Sequence, residues 1–133
     1  ASPAMGKVVV FKIGGKGELV TDESFPPDPT PVAEDFGSLA QIEHGREVFF
    51  NNCMVCHGDS VQSGGIVTDL RWAPAPATKE TFAEVVIGGK YATAGMASFA
   101  NVLTPDDVES VRAYIINRAN EDAKAAAAAA PPP

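Results

Sequence analysis

The chain has 133 residues, with 10 basic and 17 acidic side chains, and its formal net charge at pH 7 is −7. This size fits one domain, and a composition of 45% hydrophobic and 20% charged residues is that of a folded globular protein. The acidity argues against nucleic-acid binding, which depends on Lys and Arg at phosphates, and no apolar run approaches the roughly 18 residues that a membrane-spanning helix needs.

A β-strand is predicted near the start of the chain. Residues 7–13 are rich in β-branched and aromatic side chains, and the pair Gly14-Gly15 then ends the run as a turn would. Because a lone hairpin is marginal in water, we expect this anchor segment, residues 1–21, to pack on something else. The chain begins at Ala1 without an apolar leader, so we also expect that any export signal has been removed.

A Pro-rich segment follows the predicted strand. Four prolines lie there among acidic and small residues, a composition typical of extended, polyproline-like chain. We predict that residues 22–35 form a linker. A helical domain of residues 36–120 then follows.

Three helices are predicted in this domain. Apolar residues at spacings of three and four favour a helix over about residues 39–51. Thr78 fits the N-cap of a short second helix, which Gly88-Gly89 would end in a left-handed turn. The third helix has Thr104 as its N-cap, and the proline and two aspartates that follow suit the first turn of a helix.

The third helix is expected to be buried along one face. Its apolar stripe covers about four turns and is formed by Val108, Val111 and Ile115. The tail, residues 121–133, contains six consecutive alanines and three terminal prolines. We expect it to be a helical extension that frays into a disordered end.

The two cysteines of the chain belong to the motif Cys53-Met54-Val55-Cys56-His57. Two thiols one helical turn apart can form thioethers with two porphyrin vinyl groups, and the residue that follows can ligate the iron. The motif is therefore typical of c-type haem attachment, and it predicts one covalently bound haem c.

Two other kinds of site share part of this pattern. A thioredoxin-like motif needs a βαβ context and a helix that begins at the first cysteine, whereas here a predicted helix precedes the motif. A structural zinc site needs four ligands, and outside the motif the chain has one more histidine and no cysteine. We therefore favour the haem site over both alternatives.

The imidazole of His57 needs an acceptor for its second ring nitrogen, because that hydrogen bond fixes the ring orientation and raises its basicity. We expect a backbone carbonyl within residues 67–70 to be this acceptor. The alternative is that these residues are only a surface loop.

The sixth iron ligand has four candidates in the chain, namely Met5, Met54, Met96 and His44. Met54 lies inside the attachment loop, and Met5 precedes the linker, which leaves Met96 and His44. We favour Met96, which follows the motif by 39 residues in an irregular Gly-rich segment, although a lone methionine is often core filler. His44 is expected to be a solvated surface residue.

Several features now occur together: Gly45 and Phe49 before the motif, the Cys-x-x-Cys-His motif, a methionine loop and a well-capped last helix. Over residues 36–120 this combination resembles the class I cytochrome c family. The resemblance implies an all-α, class I cytochrome c fold with helices packed around one haem, here preceded by the strand and linker. In that fold the first and last helices cross at a glycine, so Gly45 would allow close approach and Phe49 would pack against Tyr114.

The same resemblance implies further contacts to the haem. Family members usually place a proline whose carbonyl accepts the proximal histidine proton, and Thr68 occupies the matching position here. Leu70 would pack against the haem, and Arg71 or Trp72 would reach a propionate. The alternatives are that Arg71 is a surface charge and that Trp72 is a core aromatic. The implied site residues are Cys53, Cys56, His57, Thr68, Leu70, Arg71 and Met96, with His57 and Met96 on the iron.

Four further stretches, residues 63–71, 87–89, 95–99 and 111–116, carry a narrower resemblance. They look like the C-terminal cytochrome domain of type II quinohaemoprotein alcohol dehydrogenases, and residues 7–15 are similar to the end of the propeller in those enzymes. The resemblance implies that the haem accepts electrons from the PQQ site of a propeller chain and passes them to a soluble acceptor. PQQ and calcium would belong to that partner, and no catalytic residue is expected here.

Two other functions are weighed against this one. The first alternative is a free-standing periplasmic shuttle cytochrome, which would have no need of the predicted strand and linker. The second is a gas-binding or peroxidase-like haem protein, which would need an open sixth position. Because thioether formation needs reduced thiols in an exported chain, a periplasmic location is expected.

Overall fold

The structure is a computed structural model, and it describes residues 12–17, 31–63 and 67–129. Within these ranges there are four α-helices and two short 3-10 helices, and no strand is assigned. The α-helices are α1 (Leu39–Asn52), α2 (Met54–His57), α3 (Lys79–Val86) and α4 (Pro105–Ala129), and the 3-10 helices are Ala75–Ala77 and Ala92–Ala94.

The described part of the anchor segment is a turn. The backbone N–H of Gly15 donates to the carbonyl of Lys12 at 2.9 Å, and Gly14 has a φ of +78°, which favours glycine. The predicted turn at Gly14-Gly15 is therefore confirmed. Residues 7–11 of the predicted strand and residues 22–30 of the predicted linker lie outside the described residues.

Local capping signals explain where the helices begin. Ser38 caps α1 by accepting a hydrogen bond from the backbone N–H of Gln41, at 3.2 Å, and Thr78 caps α3 in the same way through Thr81, at 3.2 Å. At α4, Thr104 and Asp107 cap each other reciprocally, since each backbone N–H donates to the other's side-chain oxygen, at 2.9 and 3.1 Å. These starts confirm the predicted helices.

The two long helices α1 and α4 make the most extensive helix contact of the fold. A Cβ atom at Gly45 would overlap the backbone carbonyl of Ser110 on α4, so a glycine is required where the helices meet. One turn later, Phe49 is fully buried, and its ring centroid lies 5.5 Å from that of Tyr114 in a tilted arrangement. Both expectations from the cytochrome resemblance are confirmed.

The core fills the space between α1, α3, α4 and the loops that follow α2. Its buried members are all apolar or aromatic, and they are Phe49, Val61, Phe82, Val86, Leu103, Val108, Val111, Tyr114 and Ile115. The stripe predicted on the last helix is thus buried as expected. Helix α4 continues well beyond that stripe, to Ala129, so the described part of the tail is helical.

The end of the predicted linker packs on α4. The Asn120 side chain donates to the carbonyl of Ala33 at 3.0 Å, and the Lys124 ammonium lies 3.6 Å from the Asp35 carboxylate. The Phe36 ring lies under a guanidinium of α4, with 4.1 Å between the guanidinium carbon and the ring centroid. Residues 33–36 are thus held against the helical body.

Among the helices of the described ranges, none combines the length and the apolar character required to cross a bilayer. Helix α4 is long enough at 25 residues, but charged side chains are distributed along much of it.

Candidate functional site

The Cys-x-x-Cys-His motif lies where α1 passes into α2. Cys53 has αR geometry, and its backbone N–H donates to the carbonyl of Phe49 at 2.8 Å, so the helical path is nearly continuous. The His57 backbone N–H in turn donates to the carbonyl of Cys53 at 3.0 Å. Both cysteines are free thiols, Cys53 half-buried and Cys56 exposed. The motif therefore presents two available thiols one helical turn apart, as attachment to a porphyrin requires.

Burial controls the chemistry of the first thiol. It raises the pKa of Cys53 to about 11, with a smaller contribution from the neighbouring Cys56. A redox-active Cys-x-x-Cys motif needs a lowered thiol pKa, because the thiolate is the nucleophile. The raised pKa of Cys53 therefore does not fit the thioredoxin-like alternative.

The second ring nitrogen of His57 has the acceptor that the sequence predicts. Its Nδ1 lies 3.3 Å from the backbone carbonyl oxygen of Thr68, within hydrogen-bond reach. Burial lowers the pKa of His57, and the hydrogen bond to Thr68 and the charge of Asp69 oppose this effect. With the Nδ1 proton directed at Thr68, the neutral ring presents the lone pair of Nε2 as a metal ligand.

Met96 lies in a loop that is tied back to α3. Its backbone N–H donates to the carbonyl of Tyr91 at 3.2 Å, directly after Gly95, whose φ is +97°. The Phe99 N–H donates to the carbonyl of Val86 at 2.9 Å. Met96 and Leu70 are both half-buried and pack against the core. The loop therefore supplies a thioether at the edge of the core.

The other three candidates for the sixth ligand are placed differently. The Nε2 atom of His44 lies 2.7 Å from Oδ1 of Asp107, so its half-exposed ring connects α1 to the capped start of α4. Met54 packs against the core from α2. Met5 lies outside the described residues. The position of His44 agrees with the expected surface role, and its ring is engaged by a carboxylate.

Arg71 is not the surface charge that the sequence offered as one alternative. It is 7% exposed, so it is not a surface charge, and its guanidinium donates to the carboxylates of Asp69 and Asp122. The same group lies over the Trp72 ring at 4.5 Å. The structure thus places Arg71 in an internal ion network, and its contact with a haem propionate stays a prediction.

Three functional candidates in this network were not predicted from the sequence: Ser63, Asp69 and Asp122. Asp69 carries a local signal, since an aspartate often bonds the backbone N–H two residues later, as it does to Arg71 at 3.0 Å. Asp122 carries none, because it lies 51 residues from Arg71 in the chain.

The donor set fits a c-type haem. Two thiols, an imidazole hydrogen-bonded at Nδ1 and a thioether are the donor types that would hold such a group, and the half-buried Leu70 adds apolar surface. Zinc is not matched, because in the described ranges no three His, Cys, Asp or Glu side chains are grouped to hold a metal ion. These residues therefore support the haem reading over the zinc alternative.

Comparison with known proteins gives matches that cover most of the chain. The family model described as cytochrome c oxidase, cbb3-type, subunit III, matches residues 40–115. An alcohol dehydrogenase (quinone), dehydrogenase subunit, from Gluconobacter oxydans is 34% identical over 118 residues, which are 86% of this chain and 15% of that protein. The quinohemoprotein alcohol dehydrogenase ADH IIB of Pseudomonas putida is 34% identical over 131 residues, 94% of this chain and 18% of that protein.

A solved structure agrees with these matches. The quinohemoprotein alcohol dehydrogenase ADHIIG of Pseudomonas putida HK5 is 34% identical with a TM-score of 0.64, covering 83% of this chain and 16% of that one. The present chain spans less than a fifth of the length of these relatives. The chain belongs to the cytochrome c family and is similar to the cytochrome part of quinohaemoprotein alcohol dehydrogenases, which confirms the family predicted from its motifs.

Proposed function

We propose that this chain is the electron-transfer unit of a PQQ-dependent alcohol dehydrogenase, located in the periplasm. It would accept electrons from the PQQ site of a partner chain and pass them to a soluble acceptor. The observation that carries the proposal is the His57 imidazole, which lies in a Cys-x-x-Cys-His turn and is oriented by the Thr68 carbonyl at 3.3 Å. That arrangement, in a member of the cytochrome c family, is a ligand prepared for haem iron.

When bound, haem c supplies reversible one-electron chemistry between ferric and ferrous iron. The residues of this chain hold and tune that group. Cys53 and Cys56 would attach it covalently, His57 would ligate the iron from one side, and Met96 would ligate it from the other. Leu70 would exclude water from the site. With both axial positions filled by protein, the chain would carry electrons without binding a substrate or supplying a catalytic residue.

The attachment to a dehydrogenase body is proposed for the anchor segment, residues 1–21, with the tail, residues 121–133, adding to it. The described part of that segment is exposed throughout, and Ile13 is fully exposed. A fully exposed apolar side chain can add buried apolar area when it packs on another protein. The relatives are alcohol dehydrogenases several times longer than this chain, which supports a dehydrogenase as that protein.

Covalent haem is tested by the intact mass of the chain after expression with a c-type cytochrome maturation system. The mass is expected to exceed that of the polypeptide by one haem, and acid-acetone extraction is expected to leave the colour with the protein. Cys53→Ser and Cys56→Ser should each lose one thioether. Haem that extracts completely from the unsubstituted chain would refute the proposal.

Attachment is tested with a chain that lacks residues 1–20. Its haem spectrum should match that of the full chain, because the contacts of the motif and of Met96 all lie beyond residue 36. Co-purification with the PQQ-bearing chain, and alcohol-dependent reduction of the haem in the mixture, should both weaken. Unchanged binding and reduction by the shortened chain would contradict the anchor, and a full chain that is a functional monomer would favour the shuttle cytochrome.

A further inference from the structure

The ion network around Arg71 is largely removed from solvent, since the guanidinium side chain is buried and the two carboxylates that it meets are each partly buried. Nε of Arg71 donates to Oδ1 of Asp69 at 3.0 Å, and Nη2 donates to Oδ2 of the same carboxylate at 2.8 Å. Nη1 donates to Oδ2 of Asp122 on α4 at 3.0 Å. Replacing a buried ion network by apolar side chains is often neutral or stabilising, so stability alone is a weak account of this one. What such a network supplies is a fixed geometry.

The geometry that it fixes is that of the loop carrying Thr68. The Asp69 carboxylate accepts the backbone N–H of Arg71 at 3.0 Å and that of Ser63 at 3.3 Å. The hydroxyl of Ser63 donates to the carbonyl of Val67 at 2.5 Å. The residues on both sides of Thr68 are thus anchored, while the Thr68 carbonyl itself lies 3.3 Å from Nδ1 of His57.

Asp122 connects this loop to the last helix. Its Oδ1 atom accepts a hydrogen bond from Nη2 of Arg118, one turn earlier on α4, at 2.8 Å. Its Oδ2 atom accepts the bond from Arg71. A continuous path therefore runs from the last helix through Asp122, Arg71 and Asp69 to the neighbouring Thr68 carbonyl and the histidine of the motif.

We propose that Arg71 is a positioning residue, which joins Asp69 to Asp122 and thereby holds the Thr68 carbonyl against Nδ1 of His57. The inference rests on the proposed function, in which His57 ligates the iron. A firm hydrogen bond at Nδ1 makes the imidazole a stronger electron donor and favours ferric iron. Loosening the loop therefore weakens that bond and raises the reduction potential.

The test uses Arg71→Lys in the haem-loaded chain, because lysine keeps the charge but cannot bridge two carboxylates as the planar guanidinium does. Two quantities are measured: solvent exchange of the His57 Nδ1 proton by NMR, and the midpoint potential. Arg118→Lys is the matched control, since Arg118 also bonds Asp122, while its other hydrogen bond goes to Glu121 on the same helix. We expect exchange about tenfold faster and a raised potential in Arg71→Lys, as for a local opening, and values close to those of the unsubstituted chain in Arg118→Lys.

Several outcomes overturn the inference. Unchanged exchange and potential in Arg71→Lys, even with a lower thermal midpoint, would show that the network only stabilises the fold. Equal changes in both lysine variants would show general loosening of α4. If Arg71→Lys does not retain haem, Asp122→Asn takes its place and is expected to accelerate exchange likewise. Failure of the proposed function is recognised separately, because the unsubstituted chain would then carry no covalent haem.

Discussion

Replacing Gly45 by alanine is expected to destabilise the fold, although helix propensity alone would predict a gain in stability. In a helix interior, alanine is more favourable than glycine by about 1 kcal/mol. Here the added Cβ would overlap the carbonyl of Ser110, a backbone atom that no rotamer change can move. Relieving the overlap requires α1 and α4 to separate, which weakens the contact between Phe49 and Tyr114 one turn away.

The expected magnitude combines three contributions. Overpacking costs about 1–3 kcal/mol, loss of the aromatic contact adds about 0.5–1.5 kcal/mol, and the helix propensity of alanine returns about 1 kcal/mol. We therefore expect Gly45→Ala to lower the free energy of unfolding by about 0.5–3.5 kcal/mol, measured by urea titration of the haem-loaded chain.

Glu47→Ala, on the exposed surface of the same helix, is the matched control and should change the unfolding free energy by less than about 0.5 kcal/mol. A Gly45→Ala protein as stable as the unsubstituted chain, or more stable, would refute the close approach of the two helices. A loss of similar size in both variants would show that α1 is sensitive to any substitution.

Two further predictions concern Met96 and Asp107. Met96→Ala should abolish the weak red to near-infrared absorption band that ferric haem shows with a methionine ligand, and it should lower the reduction potential. His44→Ala should leave the spectrum unchanged. A band that persists in Met96→Ala would exclude Met96 as the ligand. Hydrogen bonds, chiefly from Thr104 and then from His44, lower the pKa of Asp107 from 3.8 to about 2. The carboxylate therefore stabilises the fold above about pH 4, and this contribution is lost as the pH falls through about 2. Asp107→Asn should therefore cost about 1 kcal/mol at pH 7 and almost nothing near pH 2, measured by urea midpoints, and an equal cost at both pH values would contradict the assignment.

The sequence predicts the starts of the helices well, because capping is local. Thr78 and Thr104 each accept a hydrogen bond from the backbone N–H of the residue three positions later. Caps of this kind are visible in the sequence as short motifs. The motif of residues 53–57 is local in the same sense. The carbonyl partner of its histidine was predictable because it lies only 11 residues from His57.

What the sequence does not predict depends on residues far apart in the chain. The prolines of the predicted linker indicate extended chain, but they do not predict that the Asn120 side chain donates to the carbonyl of Ala33, 87 residues away. Neither the propionate contact expected for Arg71 nor its alternative as a surface charge indicates the bond to Asp122, 51 residues away.

The contact of residues 33–35 with α4 also determines where the polypeptide enters and leaves the helical body. Asn120 touches Ala33, and Lys124 lies beside Asp35, so both crossings occur at one corner. The chain that precedes the helical body is therefore attached at the C-terminal half of α4. Circular permutation requires that the two ends of a folded body lie close together. A short linker between these two points should therefore allow new chain termini to be placed elsewhere in the helical body.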